Sequence, residues 1–155
     1  MVILADTREQ RPLPFREGGA IEGVEKVTLS YGDYAVRYRD GSSPPVRFER
    51  KGMGDLYGTM TTGYPRFKKE MERARSDGAS LILAVEGSLS DVLEGHRHSS
   101  WSGDSMTQKL FTLMVRYKMD VVFCVNRLEM ARFISEYFQA IGREREIMKK
   151  AGKLS

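Results

Sequence analysis

Two short apolar runs most restrict what this chain can fold into, Leu81-Ile82-Leu83-Ala84-Val85 and Val121-Val122-Phe123-Cys124-Val125. Neither alternates polar with apolar residues, so each reads as a strand buried on both faces and central in a sheet. Residues 107–118 between them have a helical pattern. After them Met130, Phe133, Ile134, Tyr137, Phe138 and Ile141 recur at a three-four spacing on one helical face. Asn126 with Glu129 three residues on has the form of a capping box, with Asn where Ser or Thr is usual.

Before these runs lie four shorter β-favouring segments, 1–5, 26–29, 33–39 and 46–51, with Gly, Pro and Ser clusters between them. Asp40-Gly41-Ser42-Ser43-Pro44-Pro45 is a turn by composition and joins the last two as an antiparallel hairpin. Residues 65–77 follow, rich in helix formers, with Pro65 near the start and Phe67, Met71 and Ala74 on one side. Strands first, then alternating helices and strands, predict an α/β fold: a mixed β-sheet flanked by α-helices.

A length of 155 residues with 41% hydrophobic residues suits one folded unit with a full core, which we place at 1–142. Residues 143–155 form a basic C-terminal tail with Arg143, Arg145, Lys149, Lys150 and Lys153. It reads as a solvated, fraying helix end or as an arm on phosphates. The single Cys124 cannot form an internal disulfide and reads as a buried thiol, which fits a reducing, intracellular setting and excludes a disulfide scaffold. No apolar stretch approaches the roughly 18 to 20 residues that span a bilayer, so no membrane partner is expected. A net charge of +4 and a pI near 9.2 lean toward a polyanionic partner without requiring one.

The chemistry-bearing residues gather in the first third: Asp6-Thr7-Arg8-Glu9, then Gly32-Asp33-Tyr34, then Glu49-Arg50-Lys51 with Asp55 beyond. Side chains alternate along a strand, so Glu49 and Lys51 project from one face and Arg50 from the other. The hairpin partner brings Asp33 beside Glu49. Two hard carboxylates, joined by Asp6 and a backbone carbonyl, are what Mg²⁺ or Mn²⁺ requires, with waters completing the shell. Such a metal activates water and offsets charge during phosphodiester hydrolysis, and Lys51 would orient that water or stabilise the same charge. Taken separately, Asp-x-Arg-Glu and Glu-Arg-Lys are also ordinary surface strings.

Gly32-Asp33, a spacer, Glu49-Arg50-Lys51, three residues and Asp55, preceded by Asp6-Thr7-Arg8-Glu9, resemble the nuclease domain of the XPF/Hef family of structure-specific endonucleases. The motif likeness covers the first half of the chain, and the later order of strands and helices is similar to the rest of that domain. The resemblance implies a restriction-endonuclease-like fold, divalent-metal cleavage of branched, forked or flapped DNA, and action as a homodimer. It implies Asp33 and Glu49 as metal ligands, Asp6 as a further direct or water-mediated ligand, and Lys51 as the catalytic lysine. Arg50, Arg8, Glu9 and Asp55 match the motif as well; Arg50 and Asp55 would brace the site by pairing with each other or with Glu9. No paired helix-hairpin-helix module or helicase portion is found.

Arg66 resembles the family's basic position downstream of the motif and suits a phosphate contact or a solvated arginine. Trp101, among Ser99, Ser100, Ser102 and Gly103, suits stacking on an unpaired base or packing on the domain. His96 and His98 lack a partner at zinc spacing and read as loop histidines. The apolar face of the last helix reads as core or as the dimer surface. The expected function is thus a metal-dependent DNA endonuclease. Its alternatives are a catalytically silent DNA-binding module of the same fold, or an exonuclease or junction resolvase with the same site.

Overall fold

A computed structural model describes residues 1–154. Its six strands are β1 (Val2–Asp6), β2 (Gly23–Val27), β3 (Tyr34–Arg37), β4 (Val46–Lys51), β5 (Ser80–Glu86) and β6 (Asp120–Cys124). They form one sheet in the order β2-β1-β3-β4-β5-β6. The helices are α1 (Met53–Met60), α2 (Tyr64–Ser76), α3 (Leu89–Glu94), α4 (Gly103–Tyr117) and α5 (Arg127–Lys150). The sheet is mixed, as the order of segments predicts: β3 runs antiparallel to β1 and β4, whereas β1/β2, β4/β5 and β5/β6 are parallel.

Alternation along β5 explains why it carries no polar residue between its ends. Leu81, Leu83 and Val85 face a core built with Leu56, Phe67, Met71, Val92, Leu110 and Leu113 from α1 to α4. Ile82 and Ala84 face the opposite core, with Ile3, Val36, Phe48 and the α5 residues Met130, Ile134 and Phe138. The sheet is therefore covered on both faces, which is the condition under which a strand reads as one apolar run. Phe48 is fully buried at its middle and meets Phe133, Tyr137 and Phe138 edge to face, with centroids 6.1, 5.4 and 5.3 Å away.

The second run behaves differently. β6 lies at the edge of the sheet, not its centre, and Phe123 is 37% exposed. Only Cys124 of β6 is fully buried, so the apolar run marks a strand without fixing how far its faces are covered or whether a further strand pairs with its outer side. The helices α1 and α3 were also not expected from sequence. α1 contains Gly54 and Gly58, both poor helix formers, and has no side-chain cap. α3 is one short piece started by a reciprocal capping box: the Asp91 N–H donates to Ser88 Oγ at 3.1 Å, and the Ser88 N–H donates to Asp91 Oδ2 at 2.7 Å.

At the start of α5, Asn126 Oδ1 accepts the Glu129 N–H at 2.8 Å, as the capping pattern predicts. The Glu129 carboxylate reaches back one residue further, to the Val125 N–H. The helix stays regular through Lys150 instead of fraying after residue 142. It is held from the side along its second half: Tyr38 donates its hydroxyl to the mid-helix Phe138 carbonyl at 2.7 Å, Arg145 lies over the Tyr38 ring, and Lys149 pairs with Asp40 at 2.7 Å. Among the described residues no helix is long and apolar enough to cross a membrane.

Candidate active site

The hairpin of β3 and β4 positions the site. Asp33 stands just before β3, where its N–H donates to the Phe48 carbonyl at 2.7 Å and its carbonyl accepts the Asp6 N–H at 2.8 Å. The residue ahead of it, Gly32, has φ +73°, and a Cβ there would lie 2.8 Å from the Cβ of Arg47. Only glycine suits both the left-handed backbone and the close approach to β4. The Asp33 carboxylate accepts the Arg50 N–H at 2.7 Å, which ties it across to β4.

Glu49 and Lys51 project from the same face of β4, with Lys51 Nζ 2.8 Å from Glu49 Oε1. Glu49 is only 4% exposed. Together with Asp33 they line a cleft of about 460 Å³ whose other walls come from α1 and from the first turns of α2. Burial pushes the Asp33 carboxyl up to about 6 against the Arg50 N–H, with Glu9 and Glu70 adding repulsion and Lys51 opposing it. Burial, then the neighbouring Asp33, pushes Glu49 well above its ordinary value despite Lys51. For Lys51 burial acts against the charge, but Glu49, Asp33 and Glu70 outweigh it and raise its pKa. Two carboxylates thus share one ammonium, a pattern typical of sites tuned for chemistry.

The donor set fits a divalent cation. Both acids carry hard oxygens and are short of positive charge, and a cation beside them would remove the penalty on each. Among the described residues no group of three or more His, Cys, Asp and Glu side chains forms a ready-made cage. A hard cation such as Mg²⁺ needs only one or two carboxylates, with waters and substrate phosphate completing its shell.

Asp6 is placed differently from a direct ligand. It is 1% exposed, and its Oδ1 accepts the Leu29 N–H at 2.8 Å while Oδ2 accepts from Arg8 Nε at 2.5 Å and the Arg8 N–H at 3.2 Å. Burial pushes its carboxyl up, but these bonds outweigh it and hold the pKa below the ordinary value. Asp6 therefore orients Arg8, which lines the cleft and also donates to the Leu29 carbonyl at 2.9 Å. Glu9 accepts the Tyr34 hydroxyl at 2.7 Å, behind Asp33.

The expected brace does not form. Arg50 points to the far side of β4, 3.6 Å from Glu86, and its Nε is buried without a partner. Asp55, exposed in the first turn of α1, lines the cleft on its own. Strand alternation sends Arg50 away from α1, so no rotamer joins the two across the sheet. Arg66 is exposed on α2 and lines the cleft, suitably placed for a phosphate. Trp101 is half-buried against the α1–α4 core and opens on a separate surface pocket with Lys109. The His96 ring lies 5.7 Å from that of Tyr57 and 5.5 Å from that of His98, tilted against both. Burial lifts the Cys124 thiol to about 11, consistent with an inert core residue.

One charged cleft residue was missed from sequence: Glu70, on α2, which accepts the Gly32 N–H at 2.7 Å. Its sequence signal is slight but real. Glu70 falls at helical spacing among the buried Phe67, Met71 and Ala74, so it stands at the margin of an apolar stripe.

No curated protein sequence matches the chain significantly. Among solved structures it is similar to XPF from Aeropyrum pernix, with TM-score 0.70 and 18% identity over 97% of this chain and 69% of that one. The same protein in complex with DNA matches with TM-score 0.68 and 19% identity, over 93% of this chain and 66% of that one. The chain thus spans about two thirds of the length of these structures, and the likeness carries the restriction-endonuclease-like fold. A family model, the ERCC4 domain, matches residues 5–137, which include every cleft acid described above; the chain belongs to the ERCC4 domain family of nucleases.

Proposed function

We propose that this protein is a divalent-metal-dependent endodeoxyribonuclease acting on branched, forked or flapped DNA as a homodimer. The observation that carries the reading is the trio of half-buried Asp33, buried Glu49 and half-buried Lys51, in which two carboxylates line one cleft and the Lys51 ammonium pairs with Glu49. Asp33 and Glu49 would hold Mg²⁺ or Mn²⁺, which supplies an activated water and offsets charge on the phosphate. Lys51, fixed by Glu49 through one of its three N–H donors, has two left to orient a water or a non-bridging phosphate oxygen. Arg50 contributes its backbone N–H, which fixes the Asp33 carboxylate.

Arg8 and Arg66 stand at the cleft wall and would bind phosphates on either side of the scissile bond. Asp6 keeps Arg8 in place, Glu9 supports Tyr34 behind Asp33, and Trp101 offers a ring for an unpaired base outside the cleft. Binding to DNA is supported by the family and by the DNA complex of the Aeropyrum protein. The preference for branched DNA follows from the motif resemblance.

The test is cleavage of a labelled fork, flap and linear duplex by purified protein in Mg²⁺, Mn²⁺ or EDTA, beside Asp33→Asn and Lys51→Ala. Nicking that needs metal, prefers the branched forms and disappears in both variants is the expected result. A wild-type protein that binds branched DNA in EDTA and cuts nothing with either metal would instead be a binding module. Trimming from DNA ends alone would make it an exonuclease.

A further inference from the structure

We propose that Glu70 is a positioning residue, holding the Gly32-Asp33 peptide so that the Asp33 carboxylate faces the cleft; the inference rests on the nuclease reading above. Glu70 sits at the margin of the α2 stripe whose Phe67, Met71 and Ala74 are buried on the sheet. Its backbone is therefore fixed relative to β4 and β5. From there its Oε1 accepts the N–H of buried Gly32 at 2.7 Å. One turn along the helix, Arg73 Nε donates to the Ser30 carbonyl at 3.1 Å. α2 thus holds the segment before β3 at two points.

The sheet holds the same segment from the other side. The Asp33 N–H donates to Phe48, the Asp33 carbonyl accepts from Asp6, and a Cβ at Gly32 would press on Arg47. Glu70 closes this clamp. Without it, a buried donor adjacent to the key carboxylate loses its acceptor, and the peptide must rotate or admit water to satisfy it. A displacement of about 1 Å in a positioned group is enough to cost on the order of a hundredfold in rate.

The bond needs an acceptor oxygen and not a charge, and that separates positioning from electrostatics. Glutamine keeps a carbonyl oxygen at the same reach, whereas alanine removes it. Single-turnover cleavage of a labelled fork with Mg²⁺ or Mn²⁺ should slow by about 10- to 100-fold in Glu70→Ala. DNA affinity should stay unchanged, and Glu70→Gln should return to near the wild-type rate. In parallel, hydrogen exchange at the Gly32 amide, read by NMR, should be slow in the wild type and Glu70→Gln and fast in Glu70→Ala. The β5 amides serve as the control for folding.

An alanine variant as active as the wild type overturns the proposal. So does a glutamine variant as slow as alanine while Gly32 stays protected, which would assign the effect to charge. If the wild type cuts no DNA, the nuclease reading fails, and the clamp is judged by exchange alone. Equal Gly32 protection in all three proteins would then reject it.

Discussion

Asp33 stands where its charge is penalised, and this makes its role visible in stability as well as in cleavage. Its folded pKa is raised to about 6 from an ordinary 3.8, so between those values the native state binds a proton that the unfolded chain has released. Stability therefore falls as pH rises through that window. Asparagine resembles the protonated acid, and in EDTA at pH 7 Asp33→Asn should be more stable than the wild type by on the order of 1 to 3 kcal/mol. The two should converge near pH 4. Adding Mg²⁺ should raise the wild-type melting temperature and leave the variant unmoved, because only the wild type gains a ligand for its folded state. Melts across pH in EDTA check both statements, and a variant no more stable at pH 7 would show that the protein already compensates the Asp33 charge. The proximity of Asp33, Glu49 and Lys51 was legible because strand alternation and a hairpin turn are local rules. The engagement of Asp6 with Arg8, and of Arg50 with Glu86, was not. Arg8 is only two residues from Asp6, but what fixes both is Leu29 on the connection into β3, and the Arg50 pairing depends on which strand lies beside β4.

Phe48 shows how the elements hold the site. It lies between Arg47 and Glu49 on β4, and its ring is the hub at which three aromatic residues of α5 meet the sheet. Truncation would open a cavity at the centre of that layer, and Phe48→Ala should destabilise by about 3–5 kcal/mol in a denaturant titration. A loss under about 1 kcal/mol would mean that α5 can collapse onto the gap, which the close packing of such cores makes difficult. The α5 stripe was readable because six apolar residues keep the helical period. The two apolar runs were readable as strands, but the edge position of β6 was hidden, since strand order is set by crossovers and not by composition. α1 escaped notice for a different reason: with two glycines and no cap, its helicity comes from Leu56, Tyr57 and Met60 packing into the core. Glu70 was missed along with it, since the cleft exists only once α1 and α2 close over β4.

At the scale of the whole molecule, the edge strand and the start of α5 leave an apolar surface that the single chain does not cover. Val125 is 70% exposed and Leu128 68%, with Phe123 and Phe133 beside them. Leu128 and Phe133 line a broad groove with Val125, and Arg132 and Glu136 form an ion pair at its margin. An apolar centre with a charged rim resembles the anatomy of a protein–protein interface. A second copy of the chain is the occupant we propose, since one +4 domain presents few cations to DNA and a pair doubles them. Light scattering after size exclusion should then give a dimer for the wild type and a monomer for the double variant Val125→Asp, Leu128→Glu. Both substitutions lie outside the cleft, so the melting transition of the isolated monomer should remain cooperative while binding to forked DNA weakens and loses part of its salt dependence. A wild-type protein that stays monomeric at tens of micromolar, with the double variant binding DNA equally well, would reject pairing through this face and leave its apolar residues to a different macromolecule.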